Sequence, residues 1–252
     1  MKRKYNIVFS PTGGTQKIVN GLGSMGSDTE CTIDLMERVV PNVTFDVDDV
    51  CVIAVPSYGG RVPEIALKRM AELKGNGAKA VLVVAYGNRD YDDTLLELKN
   101  QMVKQGFVIA ACVCAIAEHT IMRQYASGRP DAQDMEELKS FGEQIRKKLE
   151  SGIFTDIAVK GNAVYKEYHG VPLKPEADKS CTQCGLCAKR CPVEAIAIDQ
   201  PQKTNKDICI SCMACIAVCP QHARKLPTLL LKGASLKLKK ECSGHKENEL
   251  LL

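Results

Sequence analysis

Eight of the thirteen cysteines in this 252-residue chain fall between Cys181 and Cys219, and their spacing is regular. Cys181-x-x-Cys184-x-x-Cys187-x-x-x-Cys191-Pro192 returns 28 residues later as Cys209-x-x-Cys212-x-x-Cys215-x-x-x-Cys219-Pro220. Thiolate is the soft ligand that iron–sulfur clusters require. Three closely spaced cysteines wrap one face of a cubane, and in this spacing the fourth ligates the other cluster. The expected ligand sets are therefore Cys181, Cys184, Cys187 and Cys219 for one [4Fe–4S] cluster, and Cys209, Cys212, Cys215 and Cys191 for a second. Zinc sites bring their ligands in two pairs and do not end each run in proline. A disulfide framework needs an oxidising compartment. Neither motif lacks a cysteine or carries an Asp in its place, which favours two [4Fe–4S] clusters over a [3Fe–4S] centre.

Three other segments have the composition of ligand loops. Ser10-Pro11-Thr12-Gly13-Gly14-Thr15 carries three hydroxyls and two glycines ahead of a helix. Free backbone N–H groups and the helix dipole attract a phosphate there, and the hydroxyls add hydrogen bonds. The Gly-Lys-Ser/Thr signature of a nucleoside triphosphatase is absent. Pro56-Ser57-Tyr58-Gly59-Gly60 and Tyr86-Gly87-Asn88-Arg89-Asp90-Tyr91 each combine glycine with aromatic residues. A flat, electron-poor ring stacks on aromatic faces, and glycine lets backbone N–H groups approach its edge. A fourth glycine run, Gly21-Leu22-Gly23-Ser24-Met25-Gly26, matches G-x-G-x-x-G. It ends a helix and precedes a strand, the reverse of what a dinucleotide fingerprint needs, so it reads as a helix C-cap and turn.

The elements that must position these loops alternate. Short apolar runs predict strands at Lys4 to Phe9, Glu30 to Leu35, Val50 to Val55, Ala80 to Ala85 and Phe107 to Ala117. Helices are predicted at Gln16 to Leu22, Pro63 to Leu73, Asp92 to Lys104 and Asp131 to Leu149. Such alternation implies a mostly parallel sheet covered on both faces. For the order 2-1-3-4-5, ligands bind beyond the carboxyl ends of the strands, at the switch between strands 1 and 3. The loops after strands 1, 3 and 4 are the three singled out above.

On these residues the first part of the chain resembles the flavodoxins, which hold flavin mononucleotide (FMN). Ser10 to Thr15 looks like their phosphate loop, Pro56 to Gly60 like their second flavin loop, and Tyr86 to Tyr91 like their third. The resemblance implies that Ser10, Pro11, Thr12, Gly13, Gly14, Thr15, Pro56, Ser57, Tyr58, Gly59, Gly60, Tyr86, Gly87, Asn88, Arg89 and Tyr91 bind FMN, with Tyr58 and Tyr91 flanking the ring. Many flavodoxins have an acid near the place of Asn88, and they are strongly acidic. Residues 1–150 here hold 19 Lys+Arg and 20 Asp+Glu. A near-neutral half predicts a higher potential for full flavin reduction than in acidic flavodoxins.

The two cysteine motifs are similar to those of bacterial two-cluster ferredoxins. The segment Gly161 to Pro172 that leads into them, with Gly128-Arg129-Pro130-Asp131 after the fifth strand, is similar to EFR1-type ferredoxins, fusions of both modules found mainly in anaerobes. The implied architecture is an α/β fold, a flavodoxin-like five-stranded parallel sheet of order 2-1-3-4-5, followed by a small α+β two-cluster ferredoxin domain. The boundaries are 1–150 for the FMN-binding domain, 151–178 for a linker, 179–228 for the ferredoxin domain and 229–252 for a basic tail, which docks on a partner or lies on the surface. Val193 to Ile198 and Gln221 to Leu226, after the motifs, are expected to pair or pack in pseudo-twofold fashion.

Composition narrows the function. Apolar residues make up 45% and the net charge is +4, too mild for a dedicated nucleic-acid binder. The longest apolar run, Phe107 to Ala117, is too short to span a bilayer. Met1 to Asn6 runs into a strand without an apolar leader segment, so a cytoplasmic chain is expected. Cys31, Cys51, Cys112 and Cys114 read as small core residues and Cys242 as part of a polar tail. Glu118, His119 and Arg129 follow the fifth strand, where they either approach the flavin or are solvated loop residues, the latter being favoured for His119. No catalytic acid, base or nucleophile constellation stands out. The resemblance implies an electron-transfer flavoprotein that passes electrons between two [4Fe–4S] clusters and FMN and on to protein redox partners. The alternative is a flavin-dependent reductase of a small organic acceptor.

Overall fold

A computed structural model of the chain describes residues 3–27 and 29–252. The first part alternates β1 (Lys4–Val8), α1 (Gly14–Gly21), β2 (Glu30–Asp34), β3 (Val50–Pro56), α2 (Glu64–Met70), β4 (Lys79–Tyr86), α3 (Thr94–Lys104), β5 (Val108–Ile116) and α4 (Ala132–Ser151). β1 to β5 are parallel in the order β2-β1-β3-β4-β5. This is the flavodoxin-like α/β topology. Every residue of β3 is buried and nearly every one of β4, as befits central strands covered on both faces. Alternation divides their side chains. Ile7, Ile53, Leu82 and Cys112 face α2 and α3, while Val8, Val52, Val83 and Val113 face α1 and α4. Cys51, Cys112 and Cys114 are core residues, whereas Cys31 is exposed because β2 is the sheet edge. Gly21 to Gly26 is the end of α1 and a turn, with Gly23 and Gly26 at positive φ.

The second part contains β6 (Glu176–Ala177), α5 (Leu186–Lys189), α6 (Ala214–Ala217) and β7 (Arg224–Lys225). Each short helix contains the third cysteine of its motif. The segments after the motifs do not pair with one another. β7 pairs with β6, which enters the first motif, and so ties the two ends of this unit together. Ile196 instead packs with Cys187, Ala188 and Cys215.

Residues 229–252 are not a loose tail. α7 (Thr228–Cys242) lays Leu231, Ala234, Leu238 and Cys242 on Ile121, Met122 and Tyr125. Cys242 is buried beneath it rather than polar and exposed. β8 (Glu249–Leu251) then adds a sixth, antiparallel strand beside β5, correcting the expected five-stranded sheet. Asn248 fixes this return. Its Oδ1 accepts from Ile116 N at 2.9 Å, and its Nδ2 donates to Asp134 at 3.0 Å and Glu137 at 2.5 Å. Among the described residues, no helix is long and apolar enough to cross a membrane.

The two parts are stitched together. Asp93 precedes α3 but does not cap it. Its carboxylate accepts from Asn162 N (2.8 Å), Asn162 Nδ2 (2.9 Å) and Lys166 N (2.6 Å) of the connecting segment. Arg69 of α2 donates to Leu35 O at 2.5 Å and Pro192 O at 2.8 Å, bridging the sheet edge to the first motif. Arg190 pairs with Asp34 at 2.8 Å, and Arg38 with Glu194 at 2.7 Å. These contacts hold the cysteine-rich unit at the carboxyl end of β2, and its second motif shares cavities with Ser10 and Pro11 after β1 and with Ser57 and Tyr58 after β3, the ligand edge of such a sheet.

Candidate functional site

The two cysteine motifs fold alike. Positive φ recurs at Gln183 and Ser211, at Gly185 and Met213, and at Glu194 and His222, each pair one repeat apart. The fourth cysteine repeats as well. Ala195 N donates to Cys191 Sγ at 3.2 Å, and Ala223 N donates to Cys219 Sγ at 3.3 Å. Such donors favour thiolate and tune iron–sulfur potentials. Burial raises the Cys219 thiol, but the N–H groups of Ala223, Arg224 and Gln221 outweigh it and hold the group below its ordinary value. Burial pushes Cys212 and Cys215 up to about 12, with Cys191 and Cys209 pushing the same way.

These contacts sort the thiols into two groups. Cys181, Cys184, Cys187 and Cys219 line one small cavity of about 20 Å³. Cys212 and Cys215 have each other, Cys191 and Cys209 as electrostatic neighbours, with Cys187 also near Cys215. Among the described residues, no three His, Cys, Asp or Glu side chains converge on a single ion position. A cubane does not ask for that, since each thiolate binds its own iron. Two separated groups of four soft ligands suit clusters of this kind.

The glycine loops converge on a different place. Pro11, Thr12, Gly14 and Thr15 share a cavity of about 70 Å³ with Pro56, Ser57, Tyr58, Tyr86 and Gly87. Gly13, at φ 90°, turns the chain into α1, and Gln16 N donates to Ser10 Oγ at 3.0 Å. The first-turn N–H groups of a helix lack intrahelical acceptors and suit an anion. Lys17, in the first turns of α1, donates to Pro130 O at 2.6 Å.

A larger cavity of about 550 Å³ adjoins this one. Ser57, Tyr58, Gly59, Tyr86, Gly87 and Arg89 form one wall. The other walls come from residues 119–122, from the connecting segment at Tyr168 and 171–173, from Ile210 and Ser211 of the second motif, and from α7. A mostly apolar cleft of this size with a few convergent polar groups suits a planar organic cofactor. The loops, glycines and aromatic walls fit FMN.

Three expected residues of the second and third loops are in neither cavity. Gly60 packs against the Asp92 side chain. Asn88 is 5% exposed, with Nδ2 donating to Cys242 O at 2.6 Å and Gly244 O at 2.7 Å. Tyr91, expected beside the ring, is 4% exposed. It meets Tyr86 edge-on at 5.3 Å, and its hydroxyl donates to Glu249 at 2.8 Å. The turn sends Tyr91 into the core, where β8 receives it. The aromatic that joins Tyr58 and Tyr86 at the cavity instead is Tyr168, whose ring lies so close to Gly59 that a Cβ there would meet it at 2.2 Å. Tyr168 comes from the connecting segment, and only tertiary packing reveals it.

His119 is not a solvated loop residue. It lines the large cavity, and its Nδ1 accepts from Ile121 N and Met122 N, both at 3.2 Å. Burial lowers its pKa, so the neutral ring carries its proton on Nε2. Glu118 and Arg129 are structural. Glu118 is held by Arg123 and Gly128 N, and Arg129 by Asp134 and Lys246 O.

Residues 180–224 match the 4Fe-4S dicluster domain family. A curated relative, one subunit of the ion-translocating oxidoreductase complex of Methanosarcina acetivorans, is 34% identical over 58 residues, covering 23% of this chain and 22% of that one. The chain thus matches about a fifth of that relative's length. Among solved structures, oxidised flavodoxin 1 of Bacillus cereus is 15% identical, with a TM-score of 0.42 over 58% of this chain and 98% of that one. The flavodoxin of Streptococcus pneumonia TIGR4 is 19% identical, with a TM-score of 0.38 over 60% and 99%. An azoreductase of Bacillus anthracis is 12% identical, with a TM-score of 0.38 over 60% and 100%. Likenesses this loose carry no functional argument; the fold rests on the strand order itself. The chain joins a flavodoxin-like α/β part to a C-terminal 4Fe-4S ferredoxin domain.

Proposed function

We propose that this chain is an electron-transfer flavoprotein of the EFR1 type. On this reading two [4Fe–4S] clusters sit on Cys181, Cys184, Cys187 and Cys219 and on Cys191, Cys209, Cys212 and Cys215. FMN sits on Ser10 to Thr15, Pro56 to Gly59, Tyr86, Gly87 and Arg89. The boundaries are 1–150, 151–178, 179–228 and 229–252, the last segment closing the flavin cavity. The chain works in the reducing cytoplasm and exchanges electrons with protein partners.

The observation that carries this reading is the shared cavity. Residues of the flavin loops and of the second cysteine motif wall the same space. The bound groups supply the redox chemistry, one electron at a time from clusters and one or two from FMN. The chain's residues do the rest. The loop at Ser10 to Thr15 orients a phosphate, Tyr58 and Tyr168 flank a planar ring, and Leu173, Ile210 and α7 exclude water.

Anaerobic purification with iron, sulfide and flavin analysis tests it. About eight iron, eight sulfide and one FMN per chain are expected. An iron content near four, or no flavin, contradicts it.

A second reading, reduction of a small organic acceptor, is favoured by His119. Its Nε2–H has no partner among the described residues, and the ring lines the cavity. It is placed to hand a proton to an acceptor bound there. Steady-state assays of the reduced protein against quinones and unsaturated acids separate the readings. Turnover restricted to protein partners removes the second.

A further inference from the structure

Tyr58 stands between the two kinds of redox site. It lies in the loop after β3 and lines both the small and the large cavity. Its hydroxyl is buried and has no hydrogen-bond partner, alone in this among the hydroxyls of the described residues. A buried unpaired O–H is costly and calls for a reason. The groups around it supply one. Its electrostatic neighbours are the thiols of Cys212 and Cys209, together with Tyr168. Tyr58 and Ile210 both pack against the buried cluster that includes Cys212 and Ala214. The other four thiols, at Cys181, Cys184, Cys187 and Cys219, share their cavity with no residue of the flavin loops.

We infer that Tyr58 joins the flavin to one particular cluster: its O–H donates a hydrogen bond to a sulfur of the cluster on Cys191, Cys209, Cys212 and Cys215, while its ring walls the flavin cavity. This rests on the electron-transfer reading above and adds an order to it. The cluster on the second motif is adjacent to the flavin, and the cluster on Cys181, Cys184, Cys187 and Cys219 is the remote one that faces partners. In each transfer one electron leaves the adjacent cluster and one arrives on the flavin. Tyr58 keeps its proton and is neither oxidised nor reduced. Hydrogen bonds to cluster sulfur raise its reduction potential, so Tyr58 also holds the adjacent cluster above the potential it would have without that hydroxyl.

The test uses full-length protein with iron and flavin counted first. In Tyr58→Phe the ring remains and the hydroxyl is lost. In redox titrations followed by electron paramagnetic resonance, the midpoint of one cluster is expected to fall while the other stays. Cys184→Ser, which perturbs the remote cluster's signal, identifies which one moved. In unmutated protein transferred to D₂O, hyperfine spectroscopy of the reduced adjacent cluster is expected to show an exchangeable deuteron that Tyr58→Phe lacks. Tyr58→Leu, which also removes the ring, is expected to slow cluster-to-flavin transfer at least tenfold in stopped flow, whereas Tyr58→Phe is not. Full iron and flavin content with both midpoints unmoved, or with only the remote cluster shifted, overturns the inference about Tyr58 alone. Missing clusters or flavin in the unmutated protein overturn the underlying reading instead.

Discussion

Asp134 shows how much one buried carboxylate can hold. Its burial works against the charge, but Arg129, the N–H of Asp131 and Asn248 outweigh it and keep the carboxyl at about 2. Arg129 and Asp134 are both nearly sealed from solvent, with side chains 10% and 4% exposed. A carboxyl depressed in the folded state stabilises it above the ordinary value of 3.8, and this is lost as pH falls through the folded value. The shift corresponds to about 2 kcal/mol. Asp134→Asn also leaves Arg129 buried without its charge partner, so a loss of about 2–3 kcal/mol at pH 7 is expected. Chemical denaturation at pH 7 and pH 2.5 checks it, because the difference from the unmutated protein should shrink at the lower pH. Ligand crossing is testable at the same scale. Cys191→Ser should disturb the same paramagnetic signal as Cys212→Ser, and Cys219→Ser the same signal as Cys184→Ser. If each serine disturbs only the signal of its own motif, the crossed assignment fails.

At the scale of elements, α7 and β8 do more than end the chain. β8 covers β5, which would otherwise present unpaired backbone groups at an edge. α7 closes the large cavity through Leu229, Leu230, Gly233, Ala234, Lys237 and Leu238. Asn88, in the third glycine loop, is anchored to the end of α7 by two hydrogen bonds. Ending the chain after Pro227 should therefore weaken flavin retention by roughly tenfold or more, the loss of one or two such contacts. Iron content should be unchanged, because no cysteine ligand lies beyond Cys219. Flavin release on dilution and iron analysis of the shortened chain are the measurements. Unchanged flavin affinity would mean that α7 only covers the surface.

For the whole molecule, the docking of the two parts would set, on the proposed function, how fast electrons cross. Arg69 is 8% exposed and ties the sheet edge to the first motif through carbonyls, contacts that salt screens little. Arg190 and Asp34 are about one-third exposed and more open to screening. Internal transfer should change by less than about twofold between low and high salt, while transfer to an external partner should fall more steeply. Arg69→Ala should slow internal transfer and make it salt-sensitive. Charge also bears on the flavin. Arg89 and Lys237 outnumber Asp90 among the charged residues that line the cavity, and residues 1–150 are near neutral. Full reduction of the flavin should come at a higher potential than in acidic flavodoxins, and a redox titration giving a value as low as theirs would refute it. The formal +4 also changes meaning. Two clusters at roughly −2 each, counting their thiolates, would bring it near zero.

The cysteine repeat was legible in the chain because its information is local. Spacing decides which thiols reach one cubane face, and the same left-handed turns recur at Gln183 and Ser211. The strands and loops of the first part were legible for a similar reason. Buried parallel strands are continuous apolar runs, and glycine-rich loops follow them. What lay outside local reach was any contact between distant segments. Tyr58 and Tyr91 sit in similar loops, and only the direction of the turn sends one to the cavity and the other to Glu249. β8 is three residues long, too short for periodicity to announce it. The amphipathic face of α7 is broken by exposed leucines at 229, 230 and 236. The sequence by itself determined which residues can carry redox groups and the class of sheet that presents them, because ligand spacing and strand patterning act over a few residues. The tertiary structure alone decided which cluster motif meets the flavin loops, and that Tyr58, Tyr168 and α7 enclose the space between them, because these contacts join segments far apart in the chain.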